Sequence, residues 1–110
     1  MNQNLENLDL SKVPLLFETD DLGIRFKDKI VHLHFYMNGT HWYAVEHDGE
    51  NIFYGMVISE NNFKNAGWRE FCIKDIQLLS DNSAEIAVDH DWMPVKAGDV
   101  DLIRDASNWD

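Results

Sequence analysis

Hydrophobic and polar positions alternate most cleanly between Ile30 and Ser59. Val31, Leu33, Phe35 and Met37 fall on one side of a period of two, and Ile30, His32, His34 and Tyr36 on the other, which predicts a β-strand over 30–37. Asn38-Gly39 closes that strand, and Asp48-Gly49 closes the next apolar stretch. Both dipeptides suit two-residue hairpin turns, because a type I′ turn needs positive φ at its central residues and Asn, Asp and Gly accept it. The first turn fixes a register in which Tyr36 faces His41, Phe35 faces Trp42, His34 faces Tyr43 and Leu33 faces Ala44. One face of this hairpin is then Leu33, Phe35, Trp42 and Ala44. The other carries His32, His34, His41, Tyr43, Val45 and His47. Ile52–Ile58 is apolar on both faces, as expected of a central or covered strand. Gly55 within it marks a close backbone approach or a bulge. Residues 30–59 are therefore read as a three-stranded meander.

The flanks are less periodic. Leu5, Leu8 and Leu10 have roughly helical spacing, so 1–12 is read as an N-terminal helix or arm. Pro14 suits the first turn of a helix running to Thr19, where its missing N–H costs nothing. Asp20-Asp21-Leu22-Gly23 reads as a turn, 60–65 as a polar loop, Gly67–Ile73 as a fourth strand and Asp75–Leu79 as a short helix. Residues 84–92 read as an acidic fifth strand ended by Pro94, and 96–110 as a C-terminal helix or arm. The whole predicts a single α+β domain over 1–110. It is an antiparallel β-meander of about five strands with two or three short helices packed on one face.

Charge narrows the function. Nine Lys and Arg against twenty Asp and Glu give a net charge of −11. A chain this acidic does not bind nucleic acid directly, nor an anionic membrane surface, since both need a basic face. Its 45% hydrophobic content excludes disorder. No apolar run approaches the ~20 residues of a membrane span, and the first twelve residues lack a signal-peptide pattern. The single Cys72 permits no internal disulfide. A cytoplasmic location follows as the expectation.

Four groups of residues invite chemistry. His32, His34, His41 and His47 share a face in the expected register, with His34 and His41 diagonal neighbours within reach of one divalent ion. Asp89-His90-Asp91, with Glu46, Asp48 and Glu50, is a candidate carboxylate cluster for Mg²⁺, but only Lys96 is near in sequence to hold a phosphate. Cys72, among apolar neighbours and without a local histidine, reads as an inert thiol. The last group is the acid of the C-terminal third: Asp81, Glu85, Asp89, Asp91, Asp99, Asp101, Asp105 and Asp110 against Lys96 and Arg104. On a strand, Glu85, Asp89 and Asp91 share one face, and residues two apart lie about 6.6–6.8 Å apart. That pitch is comparable to the spacing of phosphates along a DNA strand.

Several segments together resemble a known group. Trp42-Tyr43-x-x-Glu46-x-Asp48-Gly49, Phe53-Tyr54-Gly55, Gly67-Trp68 with Phe71, Asp75-Ile76 and Asp91-Trp92-x-Pro94 are similar to a small uncharacterised acidic domain family carried on plasmids, conjugative elements and phages. The likeness spans roughly residues 13–103. It departs at Trp68-Arg69-Glu70-Phe71, where the family has a tyrosine and a phenylalanine directly after the glycine. The resemblance brings no catalytic residue. It implies the company of mobile-element accessory proteins, among which anti-CRISPR and anti-restriction inhibitors are often small and acidic.

The expectation is a non-enzymatic, DNA-mimic-like inhibitor without cofactors. It would occupy the basic nucleic-acid-binding surface of a CRISPR or restriction effector through Glu46, Asp48, Glu50, Glu85, Asp89, Asp91, Asp99 and Asp101. The alternatives are a structural accessory or homodimer pairing through a sheet edge or through Trp68, Trp92 and Trp109, and a metal-dependent enzyme using the His32, His34 and His41 face.

Overall fold

A computed structural model describes residues 10–60, 62–79 and 86–107. The central hairpin has the register that its turn dictates. β2 (Leu33–Met37) pairs with β3 (Thr40–His47) so that Tyr36 meets His41, Phe35 meets Trp42 and His34 meets Tyr43. Asn38 and Gly39 hold φ of +52° and +83°, as a type I′ turn requires. β4 (Ile52–Ser59) lies between β3 and β5 (Asn62–Cys72), and β6 (Ala87–Val88) borders β2. The order β5-β4-β3-β2-β6 makes one five-stranded antiparallel sheet. Gly55 sits where the backbones of β3 and β4 approach closely, since a Cβ there would lie 1.8 Å from the Tyr43 carbonyl oxygen.

The strand expected over 30–37 is split at His32. β1 (Ile30–Val31) pairs instead with β7 (Val95–Lys96) in a separate two-stranded sheet. Val31 packs with Tyr43 on one face of the large sheet, whereas Leu33 packs with Phe35 on the other. Two residues of opposite facing around His32 mean that the period of two is interrupted there. A second interruption is a bulge at Val45, where the β3–β4 register steps from Ala44–Gly55 to Glu46–Tyr54.

Both faces of the sheet are apolar and covered. Val31, Tyr43, Val45, Met56 and Ile58 pack against Ala97 of a 3₁₀ turn at Ala97–Asp99, Ile103 of α3 (Asp101–Ser107), and Val100 between the two. Phe35, Trp42, Ala44, Phe53 and Phe71 form the opposite cluster with Ile73 and Ile76 of α2 (Ile73–Leu79) and with Ile86 and Val88. The architecture is the expected α+β meander. The helices are divided between the two faces rather than gathered on one, because β4 and β3 bury side chains on both.

Three other local expectations change. Residues 62–65 belong to a strand, not to the expected loop: β5 begins at Asn62, and its polar start is the exposed beginning of an edge strand. The expected acidic strand is not a strand throughout. Among its described residues, 86–92, only Ala87–Val88 pairs, and 90–91 form a turn in which Asp89 Oδ1 accepts the Asp91 N–H. The segment after Pro14 does not start a helix. Leu15 bridges to His47 in parallel, Leu16 donates its N–H to the His47 carbonyl, and α1 is the single turn Glu18–Asp21. The expected N-terminal helix or arm falls mostly on residues 1–9, and with Glu85 and the turn at 81–83 it lies outside the described residues. No helix among the described residues is long and apolar enough to cross a membrane.

Candidate functional site

The first of two polar constellations on the Tyr43 face is a linear chain. His34 Nδ1 donates to Asp89 Oδ2 over 2.8 Å, His34 Nε2 lies 2.8 Å from His41 Nδ1, and His41 Nε2 lies 2.5 Å from Glu60 Oε2. The hairpin register makes His34 and His41 diagonal neighbours, and the Asp89 N–H donates to the His34 carbonyl, which draws the carboxylate onto the ring. The imidazole of His34 is stacked between Tyr36 and Tyr43 at 5.5 and 4.7 Å, with Trp92 tilted across it. Trp92 is fixed by donating its indole N–H to the Val31 carbonyl over 2.9 Å.

Proton counting defines this chain. Three contacts require three hydrogens, one more than two neutral imidazoles supply. Burial lowers the His34 pKa, and the adjacent His41 adds to this against the opposing pull of Asp89. Because Asp89 accepts from Nδ1, the neutral form of His34 carries its proton there and presents Nε2 as an acceptor toward His41. Burial, reinforced by Glu60 and Asp89, pushes the Tyr43 phenol up to about 12. The histidine nitrogens thus aim at each other and at carboxylates. Among the described residues no group of three or more His, Cys, Asp or Glu is arranged to hold a metal ion. Of the four histidines expected together, His47 has moved away. The bulge at Val45 turns it toward Phe53, and its Nδ1 accepts the Gly49 N–H. His32 sits half-buried at the break between β1 and β2, and burial lowers its pKa.

The second constellation is a buried clamp. Because the bulge places Glu46 opposite Tyr54, its carboxylate lies on the Tyr43 face and is only 2% exposed. Its Oε1 accepts the Phe17 N–H, and its Oε2 accepts both the N–H and the hydroxyl of Thr19. The Lys29 ammonium, 1% exposed, donates to the Thr19 hydroxyl and to Asp20 Oδ1, and lies 3.9 Å from Glu46 Oε2. Buried charges persist when paired and hydrogen-bonded, and this pair is both. The clamp holds Phe17 at φ +69°, a left-handed backbone that costs a bulky residue on the order of 1–2 kcal/mol. Phe17 directs its ring outward, 60% exposed. Leu16, Phe17, Asp20, Glu46, Tyr54 and Glu70 line a cleft of about 100 Å³ beside it.

The eight carboxylates expected to contact a partner are not gathered into one row. Glu46 is inside the clamp and does not reach the surface. Asp89 faces His34, so with Glu85 outside the described residues the evenly spaced row of Glu85, Asp89 and Asp91 is not formed. Asp48, Glu50, Asp91, Asp99 and Asp101 are exposed. Asp48 accepts the backbone N–H groups of Glu50 and Ile52, which lower its pKa. Asp101 lies 3.4 Å from Arg104. Of the tryptophans expected on the surface, Trp68 and Trp92 are half-buried and Trp109 lies outside the described residues. Sequence reasoning missed Glu60, which a longer β3–β4 ladder brings to His41. It also missed Lys29, Thr19 and Phe17, whose roles depend on the unsignalled bulge.

Comparison with protein-family models, with curated proteins and with solved structures finds no match to this chain.

Proposed function

We propose that this protein is a non-enzymatic inhibitor whose acidic surface occupies the basic, nucleic-acid-handling surface of a protein partner in the host cytoplasm, with a CRISPR or restriction effector as the partner class. The observation that carries the reading is uncompensated surface charge. Among the described residues, Asp21, Asp48, Glu50, Asp91, Asp99 and Asp105 are exposed and in no ion pair; Lys12, Lys64, Arg69, Lys74 and Lys96 are exposed and in no ion pair as well, while Lys29 is buried and Arg25 is engaged by Asp28, so the balance stays with the acids. A net charge of −11 costs stability through self-repulsion, and a basic partner relieves it. Such a surface steers and binds Lys and Arg side chains that otherwise meet phosphates. The reading no longer needs a regular carboxylate pitch.

The test is competition. The protein should displace target DNA from a CRISPR or restriction effector in a fluorescence anisotropy assay, less well as salt rises, since exposed pairs are screened beyond ~8–10 Å at physiological ionic strength. The triple variant Asp48→Lys, Glu50→Lys, Asp99→Lys should lose most of that displacement. Undiminished displacement by the folded triple variant would remove these acids as the contact.

A further inference from the structure

The acids alone do not explain why a phenylalanine is held in an unfavourable backbone conformation with its ring in solvent. Leu15, Phe17, Leu22 and Phe26 are 54%, 60%, 69% and 43% exposed, all within one twelve-residue segment. The segment is not loose. Leu16 is tied to the end of β3, and Phe17 and Thr19 are tied to Glu46. Phe26 packs on Trp68 at 4.9 Å, and Trp68 on Tyr54 at 6.2 Å. Tyr54 in turn lines the cleft shared with Phe17. An apolar and aromatic surface therefore runs from Phe17 across Tyr54 to Trp68 and Phe26. Its rim is acidic: Asp20 and Glu70 stand at the cleft, with Asp21 and Glu18 on the same helical turn as Asp20. Burial raises the Tyr54 pKa, and Asp20, Glu46 and Glu70 add to it.

We propose that the Phe17–Tyr54–Trp68 surface is the docking site for an arginine-bearing protein segment, with the guanidinium entering the cleft between Asp20 and Glu70 against the Tyr54 ring and flanking apolar side chains of the partner covering Phe17. This deepens the reading above and rests on it for the basic character of the partner. The choice of occupant follows from complementarity. Lys29 is buried beneath this surface and takes one oxygen of Asp20, but Glu18, Asp21 and Glu70 at its rim are exposed, and such a surface fits an apolar segment carrying positive charge. A cleft of about 100 Å³ is far smaller than the ~300–1,000 Å³ pockets of small-molecule sites and takes a single side-chain head group. A planar guanidinium stacks on an aromatic face while pairing with carboxylates on its edges, which an ammonium does less well. Phe17 is preorganised, since the clamp has already fixed the backbone that presents it, so little ordering is left for the moment of binding.

The probes are two synthetic peptides of equal length and charge, one alternating arginine and leucine, the other alternating lysine and glycine. Each is titrated into the full-length protein at low salt and followed by amide chemical shifts. The arginine–leucine peptide should bind at least about tenfold more tightly and shift Leu16, Tyr54 and Glu70. Phe17→Gly should reduce its affinity at least tenfold, to that of the lysine–glycine peptide, while the melting temperature stays level or rises, because glycine accepts positive φ. Glu70→Arg, at an exposed position, should weaken the same peptide by a similar factor and guards against a folding defect in the first variant. Equal binding of both peptides, undiminished by either substitution, would overturn the docking site and leave the acidic-surface reading standing. Binding of neither peptide would overturn both. A dimer by light scattering that Phe17→Gly dissolves would assign the surface to a second copy, and displacement of the Phe17 shifts by deleting residues 1–9, without peptide, would assign it to the chain's own N-terminus. Either result overturns the proposal.

Discussion

Glu46→Gln tests the clamp with a change of one atom. The carboxylate accepts from Phe17 N–H, from Thr19 N–H and from the Thr19 hydroxyl, and it neutralises Lys29. An amide keeps a single oxygen. If that oxygen serves Phe17, the NH₂ meets the Thr19 N–H and the Lys29 ammonium, donor against donor. Each lost hydrogen bond to a charged group is worth ~1.5–3 kcal/mol. Removing one partner of a buried ion pair costs ~3–5 kcal/mol, because the other charge stays buried. Lys29 retains Asp20 at 2.8 Å, but Asp20 is 55% exposed and its attraction is screened by water. The lower end, ~3 kcal/mol, is therefore expected, a large part of a domain's total of ~5–15 kcal/mol. At about 4–8 °C per kcal/mol for a domain of this size, thermal unfolding should fall by at least about 12 °C. Scanning calorimetry with a parallel urea titration measures it. Lys29→Met on its own should also destabilise, and the double variant should be less damaged than the two singles combined, since the residues share one network. A shift under about 4 °C for Glu46→Gln, roughly 1 kcal/mol, would refute the claim that this carboxylate holds residues 16–20 in place.

Two further outcomes follow from the same geometry. Gly55→Ala puts a methyl group 1.8 Å from the Tyr43 carbonyl, well inside contact distance, and β3 and β4 can relieve it only by separating; a loss of ~3 kcal/mol or more in urea unfolding is expected. The folded pKa values of His32 and His34 lie below the ordinary 6.5, so the unfolded chain takes up protons first and stability should decline as pH falls through 6.5, levelling off once the pH is below the folded values. Asp48, whose pKa lies below 3.8, acts in a separate window, its contribution being lost only as pH falls below that value. His32→Gln should make the decline between pH 7 and 5 shallower in chemical denaturation, and an unchanged slope would refute burial of His32 as its cause.

The legible parts of this molecule were those governed by local rules. Asn38-Gly39 fixed the register of β2 and β3, and with it the meeting of His34 and His41. Gly55 announced a close approach, and the two-faced apolar run of Ile52–Ile58 announced a central strand. What stayed hidden depended on departures from the period of two. Nothing in Val45-Glu46 marks a bulge, yet that extra residue moves Glu46 from a surface acid to the centre of a buried clamp and sends His47 to the opposite face. Glu85–Trp92 alternates well on paper, but Asp89 is held by His34 and by the turn to Asp91, so pairing stops at Val88. The polar start of β5 looked like a loop because an edge strand that runs beyond the core needs no apolar side. Phe17 was invisible as a displayed residue because its conformation is imposed from twenty-nine positions away.

The bulge also bears on heredity. Loss of the single codon for Val45 would leave β3 with an unbroken alternation, and in the raw sequence it would look harmless. In the folded chain Glu46 would still meet Tyr54 and His47 would still meet Phe53, because Val45 is the residue that β4 leaves unpaired; what would go is the buried Val45 side chain and the local twist of the bulge. A residue gained in β3 beyond the bulge, by contrast, would exchange the two faces of everything in the strand that follows it. Lineages of this protein should therefore tolerate the loss of residue 45 better than the gain of a residue between Glu46 and Asp48.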